Sequence, residues 1–197
     1  MQKREFRCFY EGLQEKLYFK HVSNVIRNVD KNISVKFKEV GKLNSLENSS
    51  TEVPKIAVFD YDLNKTEFED KVKLCKETKV LYSNLNFDLW LLLHKEKYTK
   101  NAQSNHAYIE KVREVYKLPK TADIKKKDNI EKILEQIELE DIKRAINNAE
   151  EIMKGKLEED RIFVRKNFSY FSNPSMNINE FFKDLFKELG IWQKRTW

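Results

Sequence analysis

Three acidic residues stand at the ends of two predicted β-strands. Glu11 follows the apolar run at 5–10, while Asp60 ends the run "KIAVFD" at 55–60 and Asp62 lies two residues on. The carboxyl ends of parallel strands line the crevice in which α/β proteins bind ligands. Side chains two residues apart on a strand point the same way, so Asp60 and Asp62 can share one cation. The three carboxylates therefore predict a site for Mg²⁺ or Mn²⁺, with Glu11 as a third ligand or a general base.

Each of these acids also has a simpler explanation. Aspartate after a strand often forms a turn or caps a helix. The pairing of Glu-Gly after one strand with Asp-x-Asp after another is more specific than either feature alone. Both interpretations stay open at the level of the residues.

The spacing of apolar residues predicts an α/β fold for the first half of the chain. Short apolar runs indicate strands at 5–10, 33–40, 55–60 and 79–83. Helical spacing indicates helices at 13–29, 65–78 and about 86–97. We expect these elements to form a mainly parallel sheet flanked by helices over residues 1–98.

The second half of the chain has a different pattern, which predicts a helical C-terminal annex over residues 99–197. Its predicted helices are 106–117, 129–137, 139–155 and 177–190, and the stretch 161–171 is ambiguous between strand and loop. We expect this annex to pack on the core as part of one compact unit.

Composition and charge narrow the class of protein. The chain is 40% hydrophobic with only 4 Gly and 3 Pro, which favours a packed core over a disordered chain. Cys8 and Cys75 lie in apolar runs and are expected to be reduced core residues. No apolar stretch approaches the ~18–20 residues that span a bilayer, and no signal peptide is evident, so we expect a cytoplasmic protein.

Basic residues concentrate in one part of the chain. The net charge is +6, and the stretch from His94 to Asn129 carries ten Lys and Arg against five Asp and Glu. A concentrated basic stretch suits a nucleic acid, whose neutralised phosphates release counterions. A generally lysine-rich composition explains the same count. The run Lys125–Lys127 is interpreted as a phosphate-binding loop or as the solvated entry to a helix.

The stretch "SNLNFDLWLLLHKEKY" at 83–98 places two polar residues in a strongly apolar helix. Asp88 in the first turn suits the helix dipole as a cap, or it lies beside the predicted metal crevice. His94 is either a satisfied core residue or a phosphate contact or proton shuttle. The residues alone favour the core alternative for His94.

Motifs along most of the chain resemble the RloB family, which consists of small proteins of bacterial restriction and abortive-infection loci. The matching stretches are "YEGLQEKLYF" (10–19), "VFDYD" (58–62), "SNLNFDLWLLLH" (83–94), "AINNAEEI" (145–152) and "NPSMNINEFF" (173–182). The chain departs from the family pattern at Gln14, where Thr is usual, and at Leu63, where an acid often stands. It also departs at Leu85, where Pro is usual, and at Asp88, where Glu is usual.

The resemblance implies a Toprim-like fold and a metal-dependent nuclease of antiphage defence that cleaves DNA or RNA, with tRNA as one candidate substrate. It implies a metal site of Glu11, Asp60 and Asp62. It also implies catalytic or phosphate-binding roles for further residues, which are Glu15, Asp88, His94 and Lys126.

The resemblance further implies a partner ATPase of the AAA type. One alternative is a non-catalytic nucleic-acid-binding or sensor subunit that works with that ATPase. Another alternative is nucleotidyl transfer as in primases, which would use the same acids. Assembly into a homo-oligomer is left open.

Overall fold

The computed structural model describes residues 1–41, 52–61, 64–99, 104–165, 168–172 and 174–193. Asp62 and Leu63, which the sequence analysis singled out, lie outside the described residues. Residues 42–51 also lie outside them.

Four parallel strands form the central sheet. The strands are β1 (Gln2–Tyr10), β2 (Ile33–Glu39), β3 (Lys55–Tyr61) and β4 (Lys79–Asn84), in the spatial order β2-β1-β3-β4. Helix α1 (Leu13–Val29) connects β1 to β2, and helix α2 (Lys65–Leu74) connects β3 to β4. Strand β2 therefore lies on one side of β1, and β3 lies on the other side. This reversal of strand order places a crevice at the carboxyl ends of β1 and β3.

Each face of the sheet is covered by its own hydrophobic core. Side chains of β3 alternate, so Ile56 and Val58 join the larger core while Ala57 and Phe59 join the smaller one. Both sets are buried, which explains why β3 reads as a continuous apolar run instead of an alternating one.

Five further helices and one hairpin complete the described structure. The helices are α3 (Asp88–Leu93), α4 (Asn105–Val115), α5 (Lys127–Leu134), α6 (Leu139–Lys154) and α7 (Ile178–Glu188), with a 3₁₀ turn at Glu158–Asp160. The strands β5 (Arg161–Arg165) and β6 (Phe168–Phe171) pair antiparallel. The predicted α/β class, with a parallel sheet, flanking helices and a helical C-terminal part, is confirmed. The helices predicted at 65–78 and 86–97 are shorter than expected.

The stretch 161–171, which the sequence left ambiguous between strand and loop, contains the two strands of this hairpin. Phe168 and Tyr170 are buried against Phe68 and Tyr82 on the face of the sheet that α2 also covers. These aromatic side chains therefore belong to a core. Both cysteines are buried and free, as predicted.

The outer edge of β4 is covered by the segment that precedes α7. The amide of Tyr82 donates to Asn177 Oδ1 at 2.8 Å, and Asn177 Nδ2 donates to the Val80 carbonyl at 2.8 Å. Met176 forms an isolated antiparallel bridge with Ser83. These contacts satisfy backbone groups that would otherwise be exposed along this edge.

Both predicted halves contribute to the larger core. Phe182 of α7 lies on Trp90 of α3 with nearly parallel rings 6.1 Å apart, and it also contacts Tyr18 of α1. Ile146 of α6 belongs to the same buried cluster. Among the described residues, no helix combines the length and apolar character that crossing a membrane requires.

Candidate functional site

The carboxylate of Glu11 lies across the ends of β1 and β3. The Glu11 amide donates to the Val58 carbonyl at 3.1 Å, which extends the pairing of the two strands. In return, the Asp60 amide donates to Glu11 Oε2 at 3.1 Å. These two bonds fix the Glu11 side chain at the crevice where the strand order reverses, as the position of the acid in the sequence predicted.

A lysine of α2 neutralises the other oxygen of Glu11. Lys71 Nζ lies 2.8 Å from Glu11 Oε1 and 2.8 Å from Glu67 Oε1. Burial lowers the pKa of Lys71, but its bonds to the two carboxylates outweigh this effect, so the pKa is raised overall. The sequence offered no sign of this contact, because it depends on how α2 packs against the sheet.

Asp60 lies on the same side of β3 as Ile56 and Val58, since side chains alternate along the strand. This is the side covered by α1 and α3. Asp60 is half-buried and takes part in interactions of its own. The predicted trio is therefore described only in part, because Asp62 lies outside the described residues.

A second group of polar side chains lies at the start of α1 and α3. Glu15 is 3% exposed and Asp88 is fully buried. Lys125, from the loop between α4 and α5, places its Nζ atom 3.3 Å from Asp88 Oδ1 and 2.9 Å from Gln14 Oε1. We call Gln14, Glu15, Asp88 and Lys125 the inner cluster.

The inner cluster contains polar atoms that have no partner among the described residues. These atoms are Glu15 Oε2, Asp88 Oδ2 and Gln14 Nε2. Burial raises the pKa of Asp88, which Lys125 and Gln14 oppose. Burial also raises the pKa of Glu15, with Lys125 opposing the rise and the carboxylates of Glu11 and Asp88 adding to it. The interaction with Glu11 shows that the inner cluster is electrostatically coupled to that carboxylate.

Local structure explains how these acids reach their places. Gly12 precedes α1, and a Cβ atom there would lie 2.7 Å from Glu15 Oε2, so glycine lets the Glu15 carboxylate lie this close to the backbone. At the start of α3, the Asp88 amide donates to Asn86 Oδ1 at 3.0 Å. The Ser83 hydroxyl donates to the Asn86 carbonyl at 2.9 Å and holds this turn on the end of β4.

His94 lies apart from the acids in the hydrophobic core. It is fully buried, with Nδ1 2.8 Å from the Trp90 carbonyl and Nε2 2.9 Å from the Tyr18 hydroxyl. The carbonyl can only accept, so neutral His94 donates through Nδ1 and accepts from Tyr18 through Nε2. Burial lowers the pKa of His94 to about 3. This geometry favours the core interpretation over a phosphate contact.

The lysine run at 125–127 contributes one residue to the site, and it is Lys125. Lys126 was the predicted phosphate or proton partner, but it is exposed at the N-cap of α5. The structure thus brings together Glu11, Asp60, Glu15 and Asp88. It places Lys125 beside these acids, whereas the neighbouring Lys126 was the predicted site residue.

The donor chemistry at this edge fits a divalent cation. Carboxylate and amide oxygens are the hard ligands that Mg²⁺ and Mn²⁺ prefer, and the Glu11 carboxylate lies beside Asp60 at this edge. Within the described ranges, no three His, Cys, Asp or Glu side chains are grouped closely enough to hold an ion by themselves. An ion here would take one or two protein carboxylates and complete its coordination with water or substrate oxygens.

The fold and the site define an α/β protein with acidic residues at the carboxyl edge of a parallel sheet, where the strand order reverses. The sequence model of the RloB-like protein family matches residues 8–185, nearly the whole chain. The chain belongs to this family, as its motifs predicted. No curated protein and no solved structure matches the chain.

Proposed function

We propose that this protein is a metal-dependent nuclease of a bacterial antiphage defence system, with a Toprim-like site. The observation that carries the proposal is the Glu11 carboxylate, held across the ends of β1 and β3 beside Asp60. Membership of the RloB-like family supports it. The substrate class is DNA or RNA, with tRNA among the candidates.

The residues that would hold the ion are Glu11 and Asp60, with Asp62 as the third predicted ligand. A divalent ion bound there supplies positive charge to the scissile phosphate and lowers the pKa of a bound water. The chain itself contributes positioned charges. Lys71 and Lys125 each carry an ammonium group at the crevice, where a phosphate oxygen could replace one of the carboxylate contacts.

Glu15 is suited to proton transfer. Burial raises the pKa of its carboxyl, so it holds a proton more readily than an exposed glutamate does. Its Oε2 atom has no hydrogen-bond partner among the described residues, so no neighbouring donor holds this oxygen in the ionised form. We assign it the role of general acid or base.

The basic surface near the inner cluster supports a polyanionic partner. Lys120, Lys126 and Lys127 are exposed on the chain segment that also delivers Lys125 to the acids. Lysines at such positions can neutralise phosphates on either side of the cleaved bond. An ATPase of the AAA type is proposed as a protein partner on the strength of the family resemblance.

One observation favours a second function, that of a non-catalytic nucleic-acid-binding subunit that works with such an ATPase. Lys71 and Lys125 already pair with Glu11 and Asp88, so the acids are partly neutralised without a metal ion. A site of this kind can bind a phosphate without cleaving it.

Cleavage assays separate the two functions. Purified protein is incubated with labelled plasmid DNA, single-stranded DNA or total tRNA, each with Mg²⁺, Mn²⁺ or EDTA. We expect metal-dependent cleavage of one substrate, and we expect Asp60→Ala to reduce it at least about a hundredfold, as typical for loss of a group that stabilises the transition state.

Asp70→Ala is the matched control for this substitution. Asp70 is an exposed aspartate of α2 that pairs with Lys73, so its loss should leave cleavage unchanged. If Asp60→Ala cleaves at the wild-type rate, the site assignment is wrong. If the wild type binds nucleic acid but cleaves none of the substrates, the non-catalytic function is supported.

A further inference from the structure

The inner cluster has the composition of a second cation-binding pocket, which lies next to the Glu11–Asp60 site. It contains the carboxylates of Glu15 and Asp88 and the amide oxygen of Gln14, on α1 and α3. The Lys125 ammonium lies 2.9 Å from Gln14 Oε1 and 3.3 Å from Asp88 Oδ1. One positive charge thus faces two buried acids.

We propose that Lys125 is a built-in cation, which occupies a pocket formed by Gln14, Glu15 and Asp88 and keeps a divalent ion out of it. The claim that the wild-type chain then binds a single ion, at Glu11 and Asp60, rests on the proposed function. The occupancy of the inner pocket by Lys125 does not depend on that function.

Unpartnered atoms are the first argument for a cation pocket. Buried polar atoms in folded proteins nearly always have a hydrogen-bond partner, because leaving one unpaired is costly. Yet Glu15 Oε2 and Asp88 Oδ2 are both buried and have none among the described residues. The Gln14 amide and the Lys125 ammonium are the donors beside these acids, and they leave two carboxylate oxygens without a partner. The pocket can therefore bind a more positive group than a single ammonium.

The ligand chemistry is the second argument. Glu15, Asp88 and the Gln14 carbonyl present hard oxygen atoms, which suit Mg²⁺ and Mn²⁺ better than they suit softer transition metals. An ammonium group in the same place repels an approaching divalent ion through its own charge. Lys125 and a divalent ion therefore compete for the same oxygens.

The exposure of Lys125 is the third argument. Its side chain is 46% exposed, whereas Asp88 is not exposed at all. The flexible stem of lysine can move toward solvent without opening the core that buries the acids. Removing the ammonium group should therefore vacate the pocket and leave its oxygen ligands in place.

The test counts bound Mn²⁺ per chain by equilibrium dialysis and by the electron paramagnetic resonance signal of free Mn²⁺. Lys125→Met and Lys125→Gln remove the charge, and each should bind one more Mn²⁺ than wild type. Lys125→Arg keeps the charge and should bind no more than wild type. Lys126→Met is the matched control, because Lys126 is an exposed neighbour that contributes no contact to the pocket. Circular dichroism establishes that each variant is folded.

The same substitutions in an Asp60→Ala background separate this proposal from the proposed function. The extra ion should appear on Lys125→Met in both backgrounds, since the pocket does not use Asp60. If Asp60→Ala loses no ion, the proposed metal site is wrong, but the gain at Lys125 still stands. If folded Lys125→Met and Lys125→Gln bind the same number of ions as wild type in both backgrounds, Lys125 does not occupy a cation pocket.

Discussion

Full burial affects His94 and Asp88 in opposite directions. Burial disfavours the charged form of each, so it lowers the pKa of His94 to about 3 and raises the pKa of Asp88. The two residues differ in their neighbours. His94 finds a carbonyl and a hydroxyl that suit a neutral ring, while Asp88 finds the Lys125 ammonium. One residue is therefore suited to packing and the other to binding.

The His94 side chain should make the stability of the protein depend on pH. Its folded-state pKa of about 3 lies below the ordinary value near 6.5, so the unfolded chain binds the proton more readily. The free energy of unfolding should therefore fall by up to about 1.4 kcal/mol per pH unit as the pH drops from 6.5 toward 3. His94→Gln should remove this slope.

Urea unfolding at pH 7.5, 6 and 5 measures the effect. The stability difference between wild type and His94→Gln should shrink as the pH falls. His106→Gln is the control, because His106 is exposed on α4. An unchanged difference at all three pH values would show that His94 does not stay neutral in the folded state.

The positions of the acidic residues relative to the predicted strands allowed part of the site to be predicted. Glu11 and Asp60 were found because acids at the ends of parallel strands meet at one edge. Lys125 and Lys71 were not found as site residues, because their roles depend on the path of a loop and on the packing of a helix. In a run of three lysines, nothing in the residue types distinguishes the one that turns inward.

At the scale of elements, the turn from β4 into α3 contains a residue with an unusual backbone conformation. Leu85 has a φ angle of 65°, which residues other than glycine rarely adopt. Its amide donates to the Tyr61 carbonyl at 3.0 Å and to Asn84 Oδ1 at 2.9 Å. Proline, which the family resemblance leads one to expect here, has φ near −65° and no amide proton, so this turn excludes it.

Leu85→Pro should therefore destabilise the protein beyond the loss of the leucine side chain. Leu85→Ala is the matched comparison, because it removes the buried side chain and keeps the amide. We expect Leu85→Pro to be less stable than Leu85→Ala by about 2–4 kcal/mol, from the backbone strain and the lost hydrogen bonds. Chemical denaturation of both variants measures the difference. Equal stabilities would show that the turn readily adopts another conformation.

The spacing of apolar residues predicted whether each main element is a helix or a strand, but it predicted the first and last residues of these elements less accurately. The helix expected at 86–97 begins at Asp88 and ends at Leu93, where the apolar run also ends. The hairpin at 161–171 could not be assigned, because its aromatic residues pack on a surface made by α2 and the sheet. Such tertiary contacts leave no periodic signal in a short segment.

At the scale of the molecule, the predicted division into residues 1–98 and 99–197 remains a prediction, but the two parts share one core. Trp90 of α3 packs on Phe182 of α7, and Tyr116, which follows α4, donates its hydroxyl to the Leu91 carbonyl at 2.8 Å. Neither part can keep these side chains buried without the other. We therefore expect the chain to unfold in a single cooperative transition.

A fragment of residues 1–98 should not fold by itself. It would expose the faces of α1 and α3 that the later helices cover, including Trp90 and Tyr18. Far-ultraviolet circular dichroism during heating should show a sigmoidal transition for the full chain and none for the fragment. A cooperative melting transition in the fragment would contradict a shared core and would support two independent domains.

The shared core also has a consequence for synthesis on the ribosome. Glu11, Asp60 and Lys125 are translated in that order, but the core that supports them is closed by Phe182. A nascent chain cannot hold the acids and the lysine in their final arrangement until α7 has emerged from the exit tunnel. Any activity of this site therefore begins only after α7 has docked. By then, every residue that forms the site has already been translated.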